Sequence, residues 1–249
     1  MTTGEDADAG AGPGAAMVLF YDIAGDMADH DDWHSVEHFH ERLSVPGFLR
    51  ATRWRAEDDG PANLVIYEVA GLEVATSAPY LARLNAPTAW TRAMMPRFRG
   101  MVRGFASVAA QAGFGDGARA ASLRFRPAAG EGEGAEAALV AWIADTLLPE
   151  VAAPRGMAGA RLWRPALPPP MTAEQALRGP DAALDWLLMV TAWDGAALDR
   201  ALAGPLAPAR LSKQGAEAIR IGRHALHLTA TARDAALMTA PPIPVRAPG

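Results

Sequence analysis

Four of the six histidines fall within eleven residues near the N-terminus, and they are the side chains in this chain best suited to chemistry. They are His30, His34, His38 and His40, in the segment DHDDWHSVEHFHERLSVPGF. Histidine exchanges protons near neutral pH, and a nearby carboxylate can orient it or tune its pKa. The cluster therefore indicates acid–base catalysis or, for His34 and His38 at i and i+4, a pair of metal ligands.

The histidine segment has the periodicity of a helix that ends at Val45-Pro46-Gly47. At about 100° per residue its apolar side chains fall on one arc, which we expect to pack on a sheet. The arc consists of Trp33, Val36, Phe39 and Leu43, with His40 inside it. The opposite side is predicted to carry His34, His38, Glu41 and Arg42, with Glu37 at the boundary. The alternatives to a site are a solvated polar face and, for His40, a half-buried core position.

Acid–base chemistry on this helix assigns His38 as the general base or acid, with a carboxylate to tune it. Glu37 is its sequence neighbour and diverges from it by about 100° on a helix, whereas Glu41 lies at i+3 and can reach it. The other candidates for contacts with a substrate are Trp33, His34, His40, Arg42, Tyr21 and Tyr67. No HExxH motif and no obvious third ligand accompanies His34 and His38, so we predict no metal and no cofactor.

Three pairs of landmarks recur at one offset along the chain. Trp33 and Trp142, Gly47 and Gly156, and Trp54 and Trp163 are each 109 residues apart. Around each set the pattern predicts the order β-α-β-β-α-β. We therefore predict two diverged copies of one unit, at 17–112 and 118–232, joined by a Gly-rich linker.

The segments outside these units have loop composition. Residues 1–16 are predicted to form a disordered leader and residues 233–249 a loose, Pro-rich tail. The second unit carries about fourteen more residues than the first before its third strand, in the run PALPPPMTAEQALRGP. We expect this insertion to lie on the surface.

The order β-α-β-β-α-β is the split βαβ of ferredoxin-like folds, in which helices cover one face of the sheet. The other face needs cover, and a second copy can supply it. We predict an α+β fold of two ferredoxin-like βαββαβ units fused in tandem, which together form a pseudo-dimeric α+β barrel. The barrel interior is expected to hold a small-molecule cavity beside the histidine helix.

The composition of the chain excludes several classes of site and partner. The chain has no Cys, which excludes disulfides, Cys-based zinc sites and thiol nucleophiles. The net charge of -5 argues against a nucleic-acid partner, and no apolar run approaches the ~20 residues that span a membrane. We expect a cytoplasmic protein with a small-molecule ligand, either a monomeric pseudo-dimer or a homodimer.

Two runs of the first unit resemble the EthD-like branch of the dimeric α+β barrel superfamily: DDWHSVEHFHERLSVPGFLRATRWRA and NLVIYEVAGLEVATSAPYLARLNAPTAWTRAMMPRFR. Members commonly carry a W-x-x-x-E-H-x-x-E-R-L helix, then PGF, then a strand with YE. Here these are Trp33, Glu37, His38, Glu41, Arg42, Leu43, Pro46-Gly47-Phe48 and Tyr67-Glu68. The resemblance covers residues 17–108; His40 stands where relatives often have proline, and the second copy has Leu147 in place of His38.

The resemblance implies the barrel fold and a cavity near this helix, and relatives include cofactor-free isomerases and oxygenases. The favoured hypothesis is an enzyme of the cofactor-independent type, isomerase, lyase or oxygenase-like, acting on a small apolar or cyclic metabolite. The alternative is a non-catalytic module for small-molecule binding or assembly, because fold alone does not decide function.

Overall fold

The computed structural model describes residues 14–128 and 133–238, so most of the predicted leader and the last part of the predicted tail lie outside the described residues. The first half contains β1 (Ala15–Ile23), α1 (Met27–Trp33), a π turn (His34–His38), α2 (Phe39–Leu43), β2 (Phe48–Ala56), β3 (Asn63–Val69), a 3-10 turn (Leu72–Thr76), α3 (Ala78–Asn85), α4 (Ala89–Met94), a second 3-10 turn (Met95–Arg97) and β4 (Phe98–Gly113). The second half contains β5 (Arg119–Pro127), α5 (Glu133–Trp142), a π turn (Ile143–Leu147), α6 (Leu148–Ala152), β6 (Met157–Pro165), α7 (Ala173–Ala176), β7 (Ala182–Ala183), β8 (Trp186–Ala192), α8 (Gly195–Ala203), α9 (Pro208–Ser212), β9 (Ala216–Thr231) and α10 (Ala232–Leu237). None of the helices in the described part of the chain is long and apolar enough to cross a membrane.

Eight of these strands close into an antiparallel barrel. The ring order is β1-β3-β2-β9-β5-β8-β6-β4, and the pairing of β4 with β1 completes it. The two 16-residue strands belong to both halves: β4 pairs with β1 and then with β6, and β9 pairs with β5 and then with β2. The two-residue strand β7 adds a short parallel pairing to β4. The predicted α+β barrel is therefore confirmed.

Side chains alternate between the two faces of each strand, so the barrel separates an inner core from two outer ones. On β1, Phe20 points into the lumen, where it joins Trp54 and Trp163 from the two halves. Met17 and Tyr21 point outward and pack under the helices of the first half, and the second half has a corresponding helix-covered core. Each sheet is thus shielded on its inner face by the other half. Every large apolar side chain fully buried there contributes about 1.5–3 kcal/mol.

A π turn interrupts the first helix of each half at the same place. The turns His34–His38 and Ile143–Leu147 lie 109 residues apart. Each contains an i→i+5 hydrogen bond, from Phe39 N–H to the His34 carbonyl and from Leu148 N–H to the Ile143 carbonyl. Because π turns hold well under 1% of residues in proteins, one at the same place in each half is an uncommon structural correspondence between the halves.

The π turn also overturns the predicted orientation of the histidine helix. His34, His38, Glu41 and Arg42 were expected on the side away from the sheet, and all four are buried. Val36, which was expected to face the sheet, is only partly buried. An i→i+5 turn holds one more residue than a regular helical turn, so the side chains that follow it are rotated by about 100° from their predicted positions.

Two predicted boundaries differ from the structure. β1 begins at Ala15, inside the predicted leader, because Ala15 pairs with strands on both of its sides. α10 occupies the start of the predicted loose tail, where Thr231 and Asp234 form a capping box that satisfies the first backbone N–H groups of the helix.

Candidate functional site

The histidines lie on the outer face of the first sheet, under α1 and α2, rather than in the barrel lumen. They face Tyr21 of β1 and Tyr67 of β3, whose neighbours Phe20 and Ile66 point to the lumen. The prediction that this helix borders the chamber between the halves is wrong, because strand alternation places one sheet layer between them. We call the cavity under the helix the histidine pocket. Its polar lining consists of Tyr21, His34, His38, Arg42, Tyr67, Tyr80, Arg103, Thr172, Glu174, Gln175 and Arg178.

Three histidines stack along the helix. His30, His34 and His38 are 0%, 3% and 7% exposed, and the ring centroids of successive pairs are 5.3 and 5.5 Å apart. Trp33 packs on His38, with their ring centroids 4.4 Å apart. A solvated polar face is therefore the wrong interpretation of these three residues. His40 is half-buried and, in the described part of the chain, does not belong to the lining of the histidine pocket.

His30 is a neutral imidazole held by two partners. The Asp31 carboxylate can only accept, so His30 Nδ1–H donates to it at 3.1 Å and Nε2 accepts from the Tyr21 hydroxyl at 3.0 Å. Burial lowers the pKa of His30 and raises the pKa of Tyr21, which keeps both groups uncharged. His30 therefore orients Tyr21, and both of its nitrogens are occupied.

His34 is also neutral and fully bonded. Arg53 Nη1 donates to His34 Nδ1 at 2.9 Å, so Nε2–H donates to the Tyr67 hydroxyl at 3.1 Å and leaves the Tyr67 hydrogen for another acceptor. Burial, with the Arg53 charge, holds the pKa of His34 well below its ordinary value. A guanidinium against Nδ1 fits poorly with a metal pair at His34 and His38. In the described residues, no three His, Cys, Asp or Glu side chains converge as metal ligands.

His38 differs from its two neighbours because its Nδ1 is buried without a hydrogen-bond partner in the described structure. Glu41 Oε2 lies 3.6 Å from that atom. Burial, reinforced by the Arg42 charge, holds the pKa of His38 well below its ordinary value, and burial raises the pKa of Glu41. Glu37 accepts a hydrogen bond from the Thr88 hydroxyl at 2.6 Å instead. The structure therefore brings Glu41, and not Glu37, to His38.

A buried ion pair closes the pocket from the other half of the chain. Arg42 Nη2 donates to both carboxylate oxygens of Glu174, at 2.5 and 2.6 Å. Burial acts to raise the pKa of Glu174, but the Arg42 guanidinium outweighs it and the pKa lies below the ordinary value. Arg42 Nη1 is buried with no partner among the described residues. Arg42 can therefore still donate hydrogen bonds to a bound group.

Glu174 belongs to α7, in the insertion that we expected on the surface. The insertion does lie on the surface, but it packs against the first half: Glu174 is its one buried residue, and Ala173 N–H donates to Asn85 Oδ1 of α3 at 3.2 Å. The second half thus completes the pocket of the first. Sequence reasoning missed Glu174, and the one available signal was Thr172, which caps α7 and marks a helix within a Pro-rich run.

The histidine pocket has a volume of about 30 Å³, which is room for about two water molecules. Its wall combines a neutral imidazole, phenolic hydroxyls and the guanidinium groups of Arg42, Arg103 and Arg178. A neutral imidazole accepts a proton, and cationic donors stabilise the anion that remains. The arrangement is therefore suited to proton transfer on a weakly acidic small molecule, and any molecule much larger than water requires α7 to move.

Neither a model of a protein family nor a curated protein sequence matches this chain. Solved structures do match it: an anthrone oxidase-like protein has a TM-score of 0.62 at 9% identity, with 89% of this chain and 94% of that chain covered. Candidate monooxygenases from Fusobacterium nucleatum and Lactobacillus acidophilus have TM-scores of 0.56 and 0.55 at 9% and 10% identity, over 87% and 89% of this chain and 94% and 97% of theirs. Identities this low are evidence for the fold alone. This chain has the fold of the dimeric α+β barrel superfamily.

Proposed function

We propose that this protein is an enzyme that removes a proton from a small cyclic or aromatic compound bearing a carbonyl or phenolic oxygen. The reaction takes place in the histidine pocket and needs no tightly bound cofactor. The observation that carries the proposal is the presence of two buried, unpartnered polar atoms, His38 Nδ1 and Arg42 Nη1, on side chains that line one cavity. Buried polar atoms are nearly always hydrogen-bonded, so an acceptor and a donor left free together point to a ligand.

In this proposal His38 is the general base, and the Glu41 carboxylate, 3.6 Å from Nδ1, stabilises the imidazolium that forms. The substrate's C–H or O–H bond breaks, the proton passes to the imidazole, and the electron pair stays on the substrate as an enolate or phenolate. Arg42, with Arg103 and Arg178 on the same wall, stabilises that oxyanion. The neutral Tyr67 hydroxyl, whose own hydrogen is free, orients a second oxygen of the substrate.

The fate of the anion decides the reaction class. Return of the proton to another carbon gives an isomerase, loss of a leaving group gives a lyase, and attack on molecular oxygen as co-reactant gives an oxygenase. The similar structures are described as oxidase-like and as candidate monooxygenases, which favours the third outcome by analogy of fold. The same proposal places the chain in the EthD-like branch, on the motif residues Trp33, Glu37 and His38. It also makes the chain a monomer, because its own two halves close the barrel.

Exchange of substrate hydrogen for solvent deuterium tests the proposal. The wild type, His38→Gln and His40→Gln are each incubated in deuterated buffer with a panel of cyclic diketones and hydroxylated aromatics. The samples are returned briefly to ordinary water to remove deuterium from the hydroxyl groups, and the mass gained at carbon is measured. We expect at least one compound to exchange, with a rate 10²–10⁴-fold lower in His38→Gln and within threefold of wild type in His40→Gln. Exchange that is equally fast in His38→Gln, or a panel bound without any exchange, would instead support a non-catalytic binding module.

A further inference from the structure

A second cavity opens at one end of the barrel lumen, beside the turn that joins β4 to β5. Its volume is about 310 Å³, which lies in the range of small-molecule sites, whereas the histidine pocket measures about 30 Å³. Its walls come from both halves, including Trp54 of β2 and Trp163 of β6, which stand 109 residues apart in the chain. One sheet layer separates this lumen cavity from the histidines.

Three glycines, Gly113, Gly115 and Gly159, line this end of the lumen. A Cβ on Gly113 or Gly159 would meet backbone atoms within 3 Å, so glycine allows the close approach of backbone segments that forms this part of the wall. Elsewhere the lumen is filled: the guanidinium of Arg124, for example, lies 4.3 Å from the centroid of the Phe20 ring. Eight-stranded barrels either fill their interior or hold one small ligand, and this barrel fills only part of it.

The apolar part of the wall includes two aromatic side chains. Trp54 and Trp163 lie there with Ile66 and Met189, and all four are buried members of the inner core. Trp54 is 2% and Trp163 1% exposed, so each presents only a small part of its indole ring to the cavity, which suits edge-to-face contact with another aromatic ring, and Met adapts to irregular shapes. This wall therefore favours a planar ring system.

The charged groups at this end already neutralise one another. Glu68 binds Arg161 and also accepts from Arg50 Nη2 at 2.7 Å, and Asp116 lies 2.6 Å from the same Arg50 nitrogen. Two carboxylates and two guanidiniums leave no unpaired charge for an ionic ligand. The hydroxyl of Thr191 and the amide of Gln111 remain as neutral polar groups on the wall.

We propose that this lumen cavity is a second small-molecule site, for a neutral planar aromatic compound that carries hydroxyl or carbonyl oxygens. The rings lie against Trp54 and Trp163, and the oxygens reach the neutral polar groups. An anion has to break an existing ion pair in order to bind, so it is disfavoured. The site does not depend on the chemistry proposed for the histidine pocket.

Tryptophan fluorescence and equilibrium dialysis test this site with 2-naphthol, which is neutral at pH 7, and with 2-naphthoate as its anionic counterpart. We expect one saturable 2-naphthol site per chain, at least tenfold tighter than 2-naphthoate, with quenching of tryptophan emission. Trp54→Phe with Trp163→Phe is expected to remove most of the quenching, and Trp33→Phe, which changes the ring packed on His38, to leave it. Absence of saturable binding, equal binding of the anion, or quenching that disappears only in Trp33→Phe would overturn the proposal.

Two further variants separate the lumen site from the histidine pocket. Met189→Trp fills the lumen cavity and is expected to weaken 2-naphthol binding at least tenfold, whereas Leu167→Trp, at a position 93% exposed, serves as a matched surface control without effect. His38→Leu is expected to leave 2-naphthol binding unchanged. Loss of binding in His38→Leu would assign the ligand to the histidine pocket and refute the second site. The fluorescence result on the conservative Phe variants stands even where Met189→Trp fails to fold.

Discussion

His38→Leu is expected to make the protein more stable and to abolish its proton-transfer activity. Leu147 occupies the equivalent position of the second π turn and is fully buried, so the fold already accommodates leucine there. The substitution removes a buried nitrogen that has no partner, and the penalty for such a group is about 1–3 kcal/mol. We therefore expect the free energy of unfolding to rise by about 1 kcal/mol or more, and exchange activity to fall by 10²–10⁴-fold.

Urea denaturation of His38→Leu and of His34→Ile, its matched control, measures this effect. Ile143 stands at the second-half equivalent of His34, but both nitrogens of His34 are bonded. His34→Ile leaves the buried Arg53 guanidinium and Tyr67 hydroxyl without their hydrogen bonds to His34. It is therefore expected to lower the free energy of unfolding by about 1–3 kcal/mol. A His38→Leu protein less stable than the wild type by more than 1 kcal/mol would mean that His38 has a structural partner.

Glu174→Leu is expected to lower the free energy of unfolding by about 3–5 kcal/mol, because it leaves the Arg42 charge buried and unpaired. The double variant Arg42→Met with Glu174→Leu removes both charges. It is expected to recover most of that loss, since a well-packed apolar pair can replace a buried ion pair. A double-mutant cycle in urea measures the coupling between the two side chains.

The exposed pair of Arg210 and Glu150, with a shortest distance of 2.7 Å, is the matched control for the buried pair. Glu150→Leu is expected to cost no more than about 1 kcal/mol, because solvent screens surface pairs. A Glu174→Leu protein that loses as little as Glu150→Leu would show that α7 does not dock on the histidine pocket in solution. Substrate access through movement of α7 would then need another explanation.

The fold could be predicted from landmarks that recur along the sequence. The shared offset of Trp33, Gly47 and Trp54 with their counterparts predicts two similar units, and the order of elements around them has few compact solutions. The side of the sheet that the histidines occupy could not be predicted in the same way. β1 is apolar on both faces, at Met17 and at Val18 alike, so alternation gave no signal for which face meets the helix.

Two features of the candidate site, the π turn and the Arg42–Glu174 pair, could not be predicted from sequence patterns. A π turn has no distinctive composition, and its wider turn shifted His38 from the predicted outer side to the buried side. Glu174 sits in a Pro-rich run with loop composition, and its partner Arg42 is 132 residues away. Whether two such distant residues meet depends on how the two halves of the chain pack together, which local sequence patterns do not show. The association of His38 with Glu41 was local, at i+3, and for that reason the helix periodicity could anticipate it.

The pH dependence of kcat/KM for the exchange reaction tests the central claim most directly, because it reports the protonation state of the base in the free enzyme. His38 accepts a proton only when neutral, and burial lowers its pKa well below the ordinary value of 6.5. We therefore predict that kcat/KM stays constant as the pH falls through 6.5, that it declines only at lower pH, and that His38→Gln removes this acid limb. An acid limb at pH 6.5 or above, or one that persists in His38→Gln, would contradict the assignment of His38 as the buried base.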